Sequence, residues 1–328
     1  MADARVPIAG RWGPWTSVGN GAASHNEDQA EEIPMTKRQT ILTAGATGSI
    51  GHAAALALAK RGARVVLLGR RAEKLRSRAD SIREVLTDVG VEHEVADIAT
   101  LVIDFSDMDS VRAAAEEALH RFPAVDGLVL SVGALIQGGP TVLPSGHEVM
   151  FATNVMGPFL FTNRLLERMQ QSDGLVLHVI ARFPETLDWD DLESLEHHRS
   201  MDAFNRTKVC NRVIAGELAR RYAGRISSVA FDPTFVLDKS DPELKDRWPS
   251  GFAGLVWRLM AIFRAKRPEI AGEPLAELML SPRDRGSVNG ALFVLDKRSD
   301  ERDEAMDDEA EGARLWDRLE LLTEPSPS

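Results

Sequence analysis

Thr40-Ile-Leu-Thr-Ala-Gly-Ala-Thr-Gly-Ser-Ile-Gly51 is the stretch on which the reading of this chain turns. Thr40 to Thr43 form a short β-rich run. Gly45, Gly48 and Gly51 follow at three-residue spacing, and an alanine-rich helical pattern extends from Ser49 through Lys60. A strand that ends in a glycine turn and opens directly into a helix makes an anion site. Glycines let the main chain approach a pyrophosphate, and the unpaired N–H groups and dipole of the helix start favour negative charge. The plain alternative is a tight βα turn that binds nothing. The second strand that follows about 20 residues on favours the binding reading.

That second strand is Arg64-Val-Val-Leu-Leu68, buried by its continuous apolar run. Gly69-Arg70-Arg71 comes next, then a charged amphipathic helix from about Ala72 to Asp88. The third strand lies within Val91 to Asp104 and closes on Leu101-Val-Ile-Asp104. Asp107 caps a helix that runs to about Arg121. Asp126 to Leu130 is strand four; Ser131-Val-Gly-Ala134 and a Gly- and Pro-rich loop to about Ser145 follow. Glu148 to Met169 is helical with Asn154 inside it, and Leu175 to Ile180 is strand five. Arg182 to Met201 reads as an acidic loop, adequately explained as solvated surface. Asp202 to Tyr222 is a helix, Ile226 to Phe231 strand six, and Gly251 to Phe263 an apolar helix followed by Arg264, Lys266 and Arg267. Ala291 to Leu295 is the last strand, and Glu311 to Leu322 the last helical piece of an acidic tail. Strands alternating with helices at this spacing give an α/β fold: a doubly wound parallel sheet with helices on both faces and right-handed crossovers. Residues 39–323 read as a single domain, 1–38 as an irregular extension in which Trp12 and Trp15 stand out, and 324–328 as a tail.

Composition narrows the function. A length of 328 residues suffices for one large α/β domain. The formal net charge of −11 argues against nucleic acid as the main partner. The single cysteine, Cys210, excludes an intrachain disulfide and is compatible with a cytoplasmic location. No apolar run approaches the ~18 residues of a membrane span. The first 36 residues lack the apolar segment of a signal peptide.

Several ordered motifs together resemble the short-chain dehydrogenase/reductase superfamily, and within it the retinol-dehydrogenase-like branch. Besides the glycine loop they are Leu67-Leu-Gly-Arg70, Ile103-Asp-Phe-Ser106, Asn154-Val-Met-Gly-Pro-Phe159, Leu187-Asp-Trp-Asp-Asp-Leu192 and Phe204-Asn-Arg-Thr-Lys-Val-Cys-Asn211. Ala313-Arg-Leu-Trp316 through Leu322-Thr323 also fits, so the resemblance covers about Gln39 to Thr323. It implies a three-layer Rossmann-type sheet of strand order 3-2-1-4-5-6-7 and a nicotinamide dinucleotide.

The departures from the family pattern carry as much information. Of its Asn, Ser, Tyr and Lys, Asn154 and Lys208 match the first and last, while Phe204 stands at the tyrosine and Ala181 at the serine. The Asn-Asn-Ala-Gly after strand four reads Leu130-Ser-Val-Gly133, and the Pro-Gly after strand six reads Pro233-Thr234.

By the resemblance, Gly45, Ser49, Ile50 and Gly51 meet the pyrophosphate, Asp104 and Phe105 stand beside the adenine, and Lys208 contacts the nicotinamide ribose. Gly69 occupies the place of the acid that NAD enzymes set against the ribose 2′-hydroxyl. With Arg70 next to it this suits a 2′-phosphate, since guanidinium binds phosphate through paired, charge-assisted bonds; NADP(H) is the expected cofactor. Asn154 either orders a water or simply holds the helix geometry. Bland readings exist for each: Arg70 and Arg71 as solvating charges, Asp104 as a turn residue, Lys208 as an exposed helix lysine, Asn154 as bonded to local backbone.

Phe204 cannot protonate an alkoxide and Ala181 cannot stabilise an oxyanion. Such groups are worth about 10²–10⁴ and 10²–10³ in rate respectively. Ser131, Arg182, Asp188 and Asp190 are the remaining polar candidates, whereas strand alternation sets His178 on the opposite face from Ala181. His197-His198 lacks metal-ligand spacing. The helix at Phe252 to Trp257 occupies the place of the family's substrate lid; with the basic residues after it, it could instead touch a membrane surface. The expected function is an NADP(H)-dependent oxidoreductase acting on a hydrophobic small molecule in biosynthetic metabolism, by a mechanism without the tyrosine acid. The alternative is a catalytically silent NADP(H) sensor or scaffold. Homo-oligomer formation stays open.

Overall fold

Thr40–Ala44 (β1), Arg64–Gly69 (β2), Ile98–Val102 (β3), Gly127–Leu130 (β4), Leu175–Val179 (β5), Ser227–Asp232 (β6), Leu292–Val294 (β7) and Lys297–Arg298 (β8) form one sheet in the computed structural model, which describes residues 38–90, 97–237, 265–281 and 285–325. Their order is β3-β2-β1-β4-β5-β6-β7-β8. Every pairing is parallel except the last, β7 with β8. The expected order therefore holds across seven strands. The two-residue β8 is too short to leave a pattern in the sequence.

Ser49–Lys60 (α1), Ala72–Asp88 (α2) and Glu269–Leu280 (α7) cover one face of the sheet. Met108–Arg121 (α3), Gly157–Gln170 (α5), Ser200–Arg221 (α6) and Glu309–Thr323 (α9) cover the other. Val149–Phe151 (α4) and Glu304–Asp307 (α8) are single turns. Alternation along each strand supplies both cores: Ile41 and Leu67 point to the α1 side, Leu42 and Leu68 to the α5 side. With both faces roofed, β2 reads as an unbroken apolar run. Each fully buried Leu or Ile in these layers contributes roughly 1.5–3 kcal/mol.

Helix α7 left no clear helical signal, because Gly272 and Pro274 both lower helix propensity. Packing decides instead. A Cβ at Gly272 would lie 2.6 Å from Ala53 O, so this glycine lets α7 settle on the alanine face of α1. Between Glu148 and Met169 the expected single helix is interrupted: Ala152–Met156 form a π-helical turn joining α4 to α5. β3 begins only at Ile98, and residues 91–96 lie outside the described residues. So do the extension up to Lys37, the apolar helix at 251–263 with its lid and membrane readings, and Arg264.

One reading is corrected. The acidic segment after β5 is an organised loop rather than merely solvated surface. Asp191 is buried and accepts from the backbone N–H groups of Leu195, Glu196 and His197. Burial alone would raise its pKa, but those three N–H groups and nearby Arg206 hold it below the usual carboxylate range. Glu193 reaches across to the His147 ring and the Glu148 N–H, tying the loop to the start of α4.

Candidate active site

The site lies at the C-terminal ends of β1, β4 and β5, where open α/β sheets bind ligands. β1 delivers the chain to Gly45, whose φ of +76° is left-handed. A Cβ there would sit 2.7 Å from Ser131 O, and one on Gly51 would run into Gly45 O and come within 2.6 Å of Ser131 Oγ. Ser131 in turn donates its hydroxyl to Ala44 O at 2.6 Å. The two glycines and Ser131 thus form one tight contact at the junction of β1 and β4. Gly48 is the N-cap of α1, in extended conformation, and no side chain closes the helix start. The N–H groups of Ser49, Ile50 and Gly51 belong to the orphan first turn. Close-approach glycines under an uncapped helix end fit a pyrophosphate.

Arg70 stands exposed just past β2, beside buried Gly69, and among the described residues no hydrogen bond or ion pair engages it. Asp104 makes a turn: its Oδ1 accepts from Ser106 N–H at 3.0 Å and Ser106 Oγ at 2.7 Å. The Phe105 ring is in the core, edge-on to Phe161 at 6.0 Å, and its main chain packs against Gly157, where a Cβ would run into Phe105 O.

Lys208 is not an exposed helix lysine. It is buried, and its Nζ donates to Val132 O at 2.9 Å and Val179 O at 3.3 Å, at the ends of β4 and β5. No carboxylate pairs with it among the described residues. Burial pushes its pKa down to about 8. The Phe204 ring, one turn earlier on α6, has its centroid 5.7 Å from Nζ. A Cβ on Gly133 would be 3.3 Å from Nζ, so the glycine keeps the amine's surroundings open.

Asn154 is fully buried within the π turn. Its Oδ1 accepts from Ala134 N–H at 2.7 Å, and its Nδ2 donates to Ala134 O at 2.9 Å and Thr207 Oγ1 at 3.2 Å. The partner is thus twenty residues away rather than local. Ala181 is half-buried just beyond β5. Below it, His178 is buried beside a small apolar cavity bounded by Leu130, Phe159, Ile214 and Trp316, and its Nε2 has no hydrogen-bond partner among the described residues. Burial, then the charge of Lys208, lowers its pKa to about 3.

Of the other polar candidates, Ser131, Arg182 and Asp188 have structural partners, and Asp190 is bonded through its main-chain N–H. Ser131 braces the glycine loop. Arg182 donates to Asp232 Oδ2 at 3.2 Å and to Glu301 at 3.4 Å. Asp188 accepts from the N–H groups of Asp190 and Asp191 within its own turn. Asp232 Oδ1 also holds the N–H of Thr234, which sits at φ +60° where the family pattern has glycine. Among the described residues no group of three potential ligands could hold a metal ion. Cys210 is buried and its pKa is raised to about 12 by burial first, which makes it inert. Sequence reasoning missed Val132, Val179, Gly133 and Ala134, which act through main-chain atoms or absent volume.

The short chain dehydrogenase family model matches residues 39–182. Human retinol dehydrogenase 14 is 27% identical over 87% of this chain and 86% of its own length. The "Putative daunorubicin C-13 ketoreductase DnrU" of Streptomyces sp. (strain C5) is 32% identical over 60% of this chain, which spans 65% of that relative. Among solved structures, a short chain dehydrogenase of Shigella flexneri 2a str. 301 complexed with NADP superposes with a TM-score of 0.57 at 21% identity, covering 79% of this chain and 97% of the other. That similarity concerns the fold.

Proposed function

The chain belongs to the short-chain dehydrogenase/reductase superfamily, in its retinol-dehydrogenase-like branch, and from that membership we propose that it is an NADP(H)-dependent oxidoreductase acting on a hydrophobic small molecule in biosynthetic metabolism, by a mechanism without the tyrosine acid. The observation that carries this is Lys208: a buried amine, held at the sheet's C-terminal edge and facing Phe204. Burying an unpaired ammonium is costly. A fold with no use for that amine would do better with an apolar residue.

In this reading Gly45, Ser49, Ile50 and Gly51 hold the pyrophosphate. Arg70 meets the 2′-phosphate, Asp104 and the Phe105 main chain flank the adenine, and Lys208 reaches the nicotinamide ribose. The bound dinucleotide supplies hydride chemistry. Asn154 fixes the segment after β4 and the start of α6, and so the position of Lys208. We assign the chemistry to one domain, residues 39–323, and to the cytoplasm. No helix among the described residues is long and apolar enough to cross a membrane.

The test is thermal melting with NADPH against NADH. Ligand that binds only the folded state raises stability by about 2.7 kcal/mol at a hundredfold excess over Kd. A shift with NADPH and a smaller one with NADH is expected; no shift with either overturns the cofactor assignment. A second reading, a silent NADP(H) sensor, is favoured by Phe204 and Ala181 together. Deuteride transfer from labelled NADPH to any ketone of a hydrophobic panel rules it out.

A further inference from the structure

We propose that Lys208 is itself the proton donor of this site, its Nζ delivering to the substrate oxygen the proton that a tyrosine hydroxyl delivers elsewhere in the family. The proposal rests on the reading of the chain as a reductase.

The geometry narrows the choice to this group. At the tyrosine position the Phe204 ring offers only C–H, and Lys208 Nζ is 5.7 Å from its centroid. An ammonium has three donors, and two go to Val132 O and Val179 O. The third has no partner among the described residues, and it is left for the substrate when the ribose contact takes the place of the longer bond, the one to Val179 O at 3.3 Å. Gly133 places nothing but hydrogen beside the amine. Asn154, Arg182 and Ala181 offer no alternative. Asn154 is spent on Ala134 and Thr207, so no relay runs through it. Arg182 is bound by Asp232 and Glu301, and Ala181 carries no proton.

The groups around the amine do not fix its charge. From β5 the facing titratable group is His178, which stays neutral down to about pH 3 and so cannot act as an acid. On α6 itself, Arg212 is paired with Asp303. β4 and the π turn contribute no titratable side chain. Lys208 is therefore held by neutral carbonyls, and its pKa of about 8 comes from burial. A donor with a pKa near the working pH is what proton transfer favours.

The step balances. The carbonyl carbon would accept the hydride that a bound reduced dinucleotide would supply, the π pair would move to oxygen, and that oxygen would take a proton from Nζ. This leaves an alcohol and a neutral amine. A solvent proton then restores the ammonium.

Two measurements test it. In the free protein, the ε-carbon resonance of Lys208 in ¹³C-lysine-labelled material, identified by its absence from Lys208→Met, is expected to titrate near pH 8. No titration below pH ~10, the ordinary lysine range, overturns the proposal. In ketone reduction with saturating NADPH, wild-type kcat is expected to fall about tenfold per pH unit above the Lys208 pKa. Lys208→Met is expected to lose about 10²–10⁴ in kcat and the pH limb with it. Lys208→Arg, permanently charged, is expected to keep nucleotide binding and lose the limb. Adding Phe204→Tyr to Lys208→Met is expected to restore turnover. Turnover with a flat profile, or Lys208→Arg superimposing on wild type, sinks Lys208 as the acid and leaves the enzyme reading intact. Nucleotide binding with no turnover of any panel ketone overturns the enzyme reading itself, and the proposal with it.

Discussion

Asn154 and Ala134 hold each other by two hydrogen bonds, Ala134 N–H to Asn154 Oδ1 at 2.7 Å and Asn154 Nδ2 to Ala134 O at 2.9 Å. The amide satisfies both polar groups of one residue in the segment after β4. Asn154→Leu keeps the volume and leaves an N–H and a C=O unpaired beside the core. At about 1–3 kcal/mol for each such group, and with Ala134 only half-buried, the variant is expected to lose about 2 kcal/mol in urea unfolding, the lower end of the sum. A loss below about 1 kcal/mol would show that the segment is held by other means.

Thr234 is a β-branched residue at φ +60°, with its hydroxyl oxygen buried and without a hydrogen-bond partner among the described residues. The left-handed conformation costs such a residue about 1–2 kcal/mol. Glycine removes that strain, while its freer unfolded chain takes back about 0.5–1 kcal/mol. Thr234→Gly is expected to be more stable by ~1 kcal/mol. Measured destabilisation would mean that the turn draws on the threonine side chain.

Arg70 projects from the end of β2 with no protein partner among the described residues. If it meets a 2′-phosphate, Arg70→Glu removes a charge-assisted contact of about 1.5–3 kcal/mol and adds repulsion. Isothermal titration is expected to show NADPH binding at least ~10-fold weaker, at about 1.4 kcal/mol per decade, with NADH affinity held or improved. Equal weakening of both nucleotides would assign Arg70 to something other than the 2′ position.

His178 fixes the sign of one pH effect. Its pKa is about 3 in the folded chain against 6.5 for the free side chain. Below pH 6.5 the unfolded chain binds a proton that the folded chain refuses, so stability is lost as pH falls from 6.5 towards 3. At about 1.36 kcal/mol per unit the full loss is on the order of 5 kcal/mol. His178→Leu is expected to flatten that part of the curve of unfolding free energy against pH. An unchanged slope would place the acid sensitivity in other groups.

Much of the fold was legible because its determinants are local. The apolar run of β2 and the glycine turn before α1 each carry their own pattern, and alternation then dictated the parallel sheet. Helix α7 was not, since Gly272 and Pro274 speak against a helix until the surface of α1 is there to receive it. The site divided in the same way. Phe204, Ala181, Asn154 and Lys208 could be named from the resemblance to the family pattern. What they touch could not, because Val132 O, Val179 O and Ala134 are main-chain partners that any residue type supplies. The burial of Lys208 and the reach of Asn154 are consequences of where β4 and β5 end.

Residues 131 to 134 give that observation a mechanical sense. Ser131 is wedged against Gly45 and Gly51, Val132 grips the amine of Lys208, Gly133 leaves it room, and Ala134 is clamped by Asn154. Four consecutive residues thus form a rail with three anchor points, one end on the glycine loop and the other on the π turn. The main chain that shapes the floor of the glycine loop is therefore the same main chain that holds the amine, and the two share one support.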